Sequence, residues 1–189
     1  MYITIGAELI DLCDQLIAQD GPLSDWYPQW PRILHRVAPL RRHITLAWLD
    51  TPTTSTALGS WDGAETALAA AVTGFAPVTV TTRSLETTSH GVILVMEATA
   101  QLQDLTGAAE QALRAAYGAD APIHGGGQPH IALAYGIGVA ATSALALPVR
   151  PVSETAGTVT LVDCDTFATG GLTWREDTAR RVALRGAAR

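Results

Sequence analysis

The chain has 189 residues, of which 48% are hydrophobic and 16% charged, a composition typical of folded globular proteins. Its 18 acidic residues outnumber 12 basic ones, and the net charge of −6 argues against broad electrostatic binding to duplex DNA. It contains no lysine and no asparagine, which excludes mechanisms that need a lysine, such as a P-loop or a Schiff base.

The first part of the chain predicts helices and strands in mixed order. Apolar residues at helical spacing predict helices over 7–18, 61–72 and 102–117. Strands are predicted over 43–49, 78–82 and 91–97, and residues 2–5 are needed as a further strand before His43. Segments rich in proline, serine and threonine predict loops over 26–39 and 51–59, the first with room for one short helix.

The second part of the chain repeats this kind of pattern. It predicts a strand over 130–135, a short helix over 139–147, and strands over 149–153, 157–162 and 172–184. The order of elements favours an α+β protein with mainly antiparallel sheets. The composition is even and shows no low-complexity linker, so we expect residues 1–189 to form a single domain.

The chain carries no sign of export or of a membrane anchor. Residues 1–20 lack a basic start, their apolar stretch includes acidic residues, and the longest strongly apolar run is too short to span a bilayer. Cys13 and Cys164 lie far apart in the sequence, outside any metal-binding spacing, and are expected to be reduced core thiols. We therefore expect a cytoplasmic protein, without contact to a membrane, that acts as a monomer.

One internal repeat stands out. The segments His43-Ile-Thr-Leu-Ala-Trp48 and His130-Ile-Ala-Leu-Ala-Tyr135 agree at four of six positions, and both end in an aromatic residue. They lie nearly half the chain apart, as two copies of a duplicated lobe would. Approximate two-fold symmetry between such lobes would bring the two strands together at the symmetry axis.

The alternation of side chains along a strand predicts where the repeated residues point. His43 and Thr45 share one face with Ala47, and His130 shares its face with Ala132 and Ala134. The other face carries Ile44, Leu46 and Trp48 in the first copy, and Ile131, Leu133 and Tyr135 in the second, and is predicted to be buried. The small, polar histidine faces are those expected for the floor of a cleft.

Two histidines across a cleft suit a reaction with two proton transfers. One imidazole takes a proton from an attacking water or hydroxyl, and the other gives a proton to the leaving oxygen. With an unperturbed pKa near 6.5, either histidine can fill either role at neutral pH. The hydroxyl of Thr45 can donate a hydrogen bond to a phosphoryl oxygen on the same face, and this chemistry requires neither a metal nor a cofactor.

The two segments resemble the paired His-x-Thr/Ser-x motifs of the 2H phosphoesterase superfamily. Within it the sequence is most similar to the bacterial 2′-5′ RNA ligase and RNA 2′,3′-cyclic phosphodiesterase group. The resemblance implies two pseudo-symmetric lobes over residues 1–185, each an antiparallel sheet backed by helices, with a central cleft. It also implies that His43 and His130 are the catalytic acid and base, in an undecided order, and that Thr45 contacts the phosphate.

The sequence departs from the family pattern at two positions. Ala132 stands where the second motif has Thr or Ser, which removes one hydroxyl from the expected phosphate site. Such a hydrogen bond to a charged group contributes about 1.5–3 kcal/mol, so its loss weakens an enzyme without abolishing catalysis. Related proteins often carry Arg shortly after the second motif, where this chain has Tyr135.

Other residues invite weaker interpretations. His124 precedes a glycine triplet and could line the cleft, and the triplet could bind an anion or serve as a flexible connection. Arg41 and Arg42 could attract an anionic substrate or be exposed surface charges, and Trp26, Tyr27 and Trp30 could stack on a base or pack their loop. His35 and His90 are expected at the surface or in turns.

The resemblance, together with the paired histidines, implies a metal-independent, ATP-independent cyclic phosphodiesterase. Its substrate would be a 2′,3′-cyclic nucleotide or an RNA end with a cyclic phosphate, and the reverse reaction would give 2′-5′ ligation. The alternative is a nucleotide- or RNA-binding module of the same fold that has lost catalytic power at Ala132.

Overall fold

A computed structural model gives the structure of residues 1–18, 20–22, 34–50, 61–88, 91–136, 146–165, 173–174 and 176–186, and the description below concerns these residues. They contain three α-helices: α1 (Ala7–Leu16), α2 (Trp61–Ala71) and α3 (Ala100–Tyr117). None of these helices combines the length and apolar character needed to cross a lipid bilayer.

The helices form where the apolar spacing predicts them, and side-chain oxygens cap the first turns of α1 and α3. At the start of α1, the Glu154 carboxylate accepts hydrogen bonds from the backbone N–H groups of Gly6 (2.6 Å) and Leu9 (2.9 Å). At the start of α3, the hydroxyl of Thr99 accepts one from the N–H of Leu102. These bonds satisfy donors that have no partner inside a helix.

Fourteen strands are described, most of them short. They are β1 (Tyr2–Thr4), β2 (Leu34–Arg36), β3 (His43–Thr45), β4 (Ala47–Leu49), β5 (Val78–Thr88), β6 (Gly91–Met96), β7 (Ile123–Gly125), β8 (His130–Gly136), β9 (Ala146–Pro148), β10 (Ser153–Ala156), β11 (Thr158–Leu161), β12 (Cys164–Asp165), β13 (Thr173–Trp174) and β14 (Arg180–Ala183). The fold is therefore α+β, as the sequence predicts.

Ten of these strands form one antiparallel sheet. Its order is β10-β5-β6-β8-β3-β1-β11-β14, with β2 also paired to β8 and β9 to β5. The strand pairs β4–β7 and β12–β13 form two small sheets of their own. Where the sequence predicts a separate sheet for each half, the described strands join the two halves at the β3–β8 pair.

The two halves repeat one arrangement of strands and helices. β1 leads through α1 to β3 and pairs with β3, and β6 leads through α3 to β8 and pairs with β8. The two repeated segments meet at Ile44 and Ile131, which are register partners and occupy the same position in each motif. The duplication inferred from the repeat is thus visible in the topology.

The three long helix predictions are confirmed, and several other predictions change. The predicted strand 43–49 is interrupted at Leu46, between β3 and β4, and the predicted strand 78–82 extends to Thr88. The predicted loop 26–39 contains β2, and residues 26–33 of it lie outside the described chain. Residues 146–148 form β9 where a helix is predicted, because they pair with β5, and residues 139–145 are not described.

Candidate active site

The two motif strands lie side by side and present their histidines on the same face. Ile44 and Ile131 are paired and fully buried in the core between the sheet and the helices. Counting outward from this antiparallel pair places His43 across from Ala132 and Thr45 across from His130, and side chains opposite each other share a face. These four residues are half-buried, on the side of the strands away from the core.

Both imidazoles are fixed in the same way through Nδ1. Nδ1 of His43 lies 2.7 Å from the carbonyl oxygen of Arg41, and Nδ1 of His130 lies 2.8 Å from that of Gln128. A carbonyl oxygen only accepts hydrogen bonds, so Nδ1 carries the proton in each case and Nε2 of a neutral ring has its lone pair. Each histidine therefore has Nε2 available for proton transfer.

His43 stays uncharged at neutral pH. Its pKa is lowered to about 4, chiefly by burial; the bond to the Arg41 carbonyl opposes this shift, and the charges of the Met1 amino group and of His130 add to it. The contribution of His130 means that the two imidazoles are close enough to repel each other when charged. Nε2 of His43 lies 3.2 Å from the hydroxyl of Thr45, which can donate to it.

An aromatic cluster packs beside His43, and no motif in the sequence pointed to it. The His43 ring lies 4.7 Å from the ring of Tyr2 and 5.2 Å from that of Trp174, which meets it edge-on at 78°. The guanidinium of Arg41 lies over Trp174, 4.4 Å from the ring centroid. Tyr2 reaches this place because β1 pairs with β3 so that Tyr2 is opposite Thr45.

Comparisons with known proteins give matches among solved structures alone. No family model matches the chain, and a search of curated proteins gives no match. A phosphoesterase structure aligns over 97% of this chain and 95% of its own, with a TM-score of 0.62 and 24% identity. The protein TT0787 of Thermus thermophilus aligns over 98% and 96%, with a TM-score of 0.60 and 18% identity.

A third similar structure is that of E. coli LigT complexed with ATP. It aligns over 97% of this chain and 95% of its own, with a TM-score of 0.57 and 21% identity. The chain has the 2H phosphoesterase fold. The resemblance inferred from the two motifs is confirmed at the level of the fold, which spans nearly the full length of the chain.

Two aromatic residues of this 2H fold point the opposite way from the prediction. In β8 the register with β6 shifts between Ile93 and Val92, and the consecutive residues Leu133 and Ala134 are both buried. Such an irregularity turns the following side chain to the other face. Tyr135, predicted to face the core, therefore lies on the histidine side, half-buried, with its pKa raised by burial.

The alternation of side chains is also reversed in the first motif strand. Leu46 and Ala47 are both fully buried, and Trp48, predicted in the core, is 46% exposed. Gly125, opposite Ala47, faces Glu110 of α3, so Trp48 and its partner His124 are on the side away from that helix. The rings of Trp48 and His124 stack with centroids 5.2 Å apart and planes at 25°.

The glycine triplet has a steric explanation. Gly125 belongs to β7, and the N–H of Gly126 donates to the carbonyl of Leu46 at 2.5 Å. A Cβ on Gly126 would overlap the carbonyl oxygen of Thr45. The chain before His130 therefore packs directly on the first motif strand, and Gly126 is required there for close approach of the two backbones.

Arg42 is a structural residue and not an exposed charge. It is only 4% exposed, and its guanidinium donates to the Asp14 carboxylate at 2.7 Å and to the carbonyl of Ile10 at 3.1 Å. These bonds tie the start of β3 to α1, because Arg42 and His43 alternate in direction along the chain. Arg41 is the arginine that remains beside His43.

The remaining candidates contribute little to this site. His35 is exposed and pairs with Tyr135 across β2 and β8, while His90, Trp26, Tyr27 and Trp30 lie outside the described residues. Cys13 is a buried free thiol, but Cys164 is exposed, against the prediction, because it lies in the small β12–β13 sheet and not in the ten-stranded sheet. Within the described ranges, no three His, Cys, Asp or Glu side chains converge as a metal site.

Proposed function

We propose that this protein is a cyclic phosphodiesterase that hydrolyses 2′,3′-cyclic phosphates of nucleotides or RNA ends with its two motif histidines. The observation that carries the proposal is the matched pair of imidazoles, each held through Nδ1 by a carbonyl and each on the same face of two adjacent strands. The two topologically equivalent halves would form the walls of a cleft, with this face as its floor. A tetrahedral phosphate fits such a pair, because acid and base must act on opposite sides of phosphorus.

The two histidines can carry out both proton transfers that hydrolysis requires. Nε2 of one histidine takes a proton from water as the water oxygen bonds to phosphorus. The bond from phosphorus to a ribose oxygen then breaks, and Nε2 of the other histidine gives that oxygen its proton. His43 is neutral at pH 7, so we assign it as the base and His130 as the acid. Thr45 holds a phosphoryl oxygen through its hydroxyl.

The same two proton transfers can serve ligation. The 5′-hydroxyl of an RNA replaces water as the nucleophile and gives its proton to one histidine, while the bond from phosphorus to the 3′ oxygen breaks and the other histidine protonates that oxygen. The product is a 2′-5′ linkage formed without ATP, because opening of the strained ring drives the bond. Hydrolysis and ligation therefore share one site, and the concentration of acceptor RNA decides between them.

Two features favour a nucleotide as the substrate. LigT, to which this chain is structurally similar, has been crystallised with ATP, 3′-AMP and NADP+. In this chain, the stacked Trp48 and His124 rings are exposed on the side away from α3 and can stack on a base. We propose that the base lies on this pair while the phosphate lies between His43 and His130.

The proposal is tested by turnover of the four 2′,3′-cyclic nucleoside monophosphates in the presence of a chelator. His43→Ala and His130→Ala are purified in parallel, so that activity common to both variants measures contaminating nuclease. We expect each variant to lose at least about 10²-fold in kcat, the lower range for removal of an acid–base group. Full activity in either variant would refute the paired mechanism.

A substrate with a good leaving group separates the two roles. A p-nitrophenyl phosphodiester of a nucleoside needs no proton on its leaving oxygen, so loss of the acid matters little while loss of the base still matters. With His130 as the acid, His130→Ala recovers activity on this substrate and His43→Ala does not. The opposite pattern reverses the assignment.

The alternative function is a nucleotide- or RNA-binding module, favoured by Ala132 in the second motif. In that case wild-type protein shows no turnover of any cyclic nucleotide but binds nucleoside monophosphates. Binding that is lost in Thr45→Ala and kept in Thr79→Ala, which changes an exposed threonine of β5, would establish this alternative.

A further inference from the structure

The two halves of the site differ most in what surrounds each histidine. Tyr2 and Trp174 both lie against the His43 ring, at 4.7 and 5.2 Å between centroids. In the second half, the residues of β6 opposite Ala132 and His130 are Ile93 and Val95, which are aliphatic. The described part of the chain has no aromatic ring contact to His130 to match those of His43.

Trp174 contacts His43 directly and also contacts Arg41, which binds His43. Its ring meets the imidazole edge-on, at 78°, and it is 5% exposed, so its position is set by packing. It also carries the Arg41 guanidinium on its face at 4.4 Å, and the carbonyl of Arg41 accepts the bond from Nδ1 of His43. One indole therefore contacts both the imidazole and the residue that holds its tautomer.

When the Thr45 hydroxyl turns from Nε2 of His43 to a bound phosphate, the bond at Nδ1 is left to hold the ring, and a single hydrogen bond does not fix an imidazole. The bond from Nδ1 to Arg41 still allows the ring to tilt about the Cβ–Cγ bond, because terminal torsions of this kind have broad energy wells. Tyr2 and Trp174, which also pack on each other, both contact the ring and restrict this rotation. Only then does Nε2 stay at 3.2 Å from Thr45, where a phosphoryl oxygen would be bound.

We propose that Trp174 is a positioning residue for His43, which holds the imidazole at the angle needed for proton transfer and shields the ring from water. Trp174 reaches the site from β13, far from His43 in the sequence, and packs there with Tyr2 at 5.3 Å. The kinetic part of this inference rests on the proposed function, but the state of the His43 ring does not.

The test compares Trp174→Leu with the conservative Trp174→Phe and with Trp61→Leu, which removes a half-buried tryptophan of α2 that bonds to the carbonyl of Thr178. The first measurement is the titration of His43 by NMR. We expect wild-type His43 to titrate with a pKa of about 4, because it is buried. With Trp174→Leu, water reaches the ring and we expect the pKa to rise by about one unit or more toward 6.5, while Trp61→Leu leaves it unchanged.

Groups other than Trp174 also affect the pKa of His43, and the experiment must separate their effects from that of the indole. The Met1 amino group and His130 both lower its pKa, and the Arg41 carbonyl raises it. The titration is therefore repeated in the His130→Ala background, where the effect of Trp174→Leu should persist. A shift that vanishes without His130 would mean that the indole acts on the second histidine and would overturn the proposal.

The second measurement is kinetic. Misplacement of a catalytic group by about 1 Å can cost on the order of 10²-fold in rate, so Trp174→Leu should lower kcat by about 10- to 100-fold. KM should change by less than about threefold, because the phosphate contacts remain. Trp174→Phe keeps an aromatic edge and should recover most of kcat.

The outcomes separate this inference from the proposed function. An unchanged His43 titration and kcat in folded Trp174→Leu would overturn the positioning role. A shifted His43 titration in a protein with no turnover of cyclic nucleotides would support positioning and reject the phosphodiesterase. If Trp174→Leu does not fold, Trp174→Met, which fills the same space with an apolar chain, is judged by the same criteria.

Discussion

Replacement of Ala132 by threonine should increase the activity of this protein. Register counted from the Ile44–Ile131 pair puts Ala132 across from His43 on the half-buried histidine face. A hydroxyl there would be the symmetry mate of the Thr45 hydroxyl, which lies 3.2 Å from Nε2 of His43. It would therefore point at the same phosphate from the second strand.

The magnitude follows from the hydrogen bond that is added. A bond to a charged group contributes about 1.5–3 kcal/mol, which corresponds to about 10- to 150-fold in kcat/KM if it forms fully in the transition state. Threonine also suits a strand, because its branched Cβ packs well on a pleated surface. We expect an increase near the lower end, since the added methyl group must fit beside Ile93, the partner of Ala132 on β6.

The control is Ala132→Val, which has the shape of threonine without its hydroxyl. Both variants are assayed on 2′,3′-cyclic nucleotides, and their thermal unfolding is compared so that a change in folded fraction is not counted as catalysis. Ala132→Thr should exceed wild type, and Ala132→Val should equal or fall below it. Equal rates for the two variants would refute the idea that a second hydroxyl acts on the phosphate here.

Three further predictions concern stability and the packing around the site. The pKa of His43 is about 4 in the folded protein and about 6.5 in the unfolded chain, so the unfolded chain binds a proton first as the pH falls. The free energy of unfolding should therefore fall by about 3 kcal/mol between about pH 7 and pH 4. His43→Gln should remove this part of the pH dependence, measured by urea titrations across the same range. Gly126→Ala places a Cβ against the carbonyl oxygen of Thr45 in the first motif strand and should lower both the melting temperature and kcat. Gly107→Ala, in open space within α3, should stabilise the protein by about 0.5–1 kcal/mol. Equal effects of the two substitutions would contradict the steric explanation. Asp14→Ala removes the charged partner of buried Arg42 and should cost about 1–3 kcal/mol in chemical denaturation, with kcat per folded molecule unchanged.

Both the helices and the histidine pair could be predicted from the sequence, because their determinants are local. The helical spacing of apolar residues can be recognised within one or two turns of sequence, and α1, α2 and α3 form where that spacing occurs. The repeat of His43-Ile and His130-Ile with matching neighbours indicated the duplication and, through it, the fold. The topology of β1-α1-β3 and β6-α3-β8 agrees with this inference.

Side-chain direction was predicted correctly only up to the irregularities in the strands. Strict alternation placed Trp48 and Tyr135 in the core, but Leu46–Ala47 and Leu133–Ala134 are consecutive buried residues that reverse the alternation. One extra residue in a strand exchanges its two faces. No property of the local sequence marks where the extra residue falls, because it depends on how the partner strand pairs.

The sequence likewise did not predict which of the two neighbouring arginines is buried. Arg41 and Arg42 are adjacent and identical in type, yet one lies over Trp174 beside the site and the other is buried against α1 and Asp14. The difference comes from alternation at the start of β3 combined with the position of α1. Local sequence contains the first of these and not the second.

A duplicated α+β fold with one histidine in each half could be inferred from the amino-acid order, since repeats and periodicities are local properties of a chain. Three features depend on tertiary contacts: which strand faces meet, that Ala132 lies across from His43, and that Tyr2 and Trp174 pack beside this histidine. These contacts join residues that are distant in sequence, and they are set by strand order and by the burial of shared apolar surface. The asymmetry that they create gives the two otherwise equivalent histidines different environments.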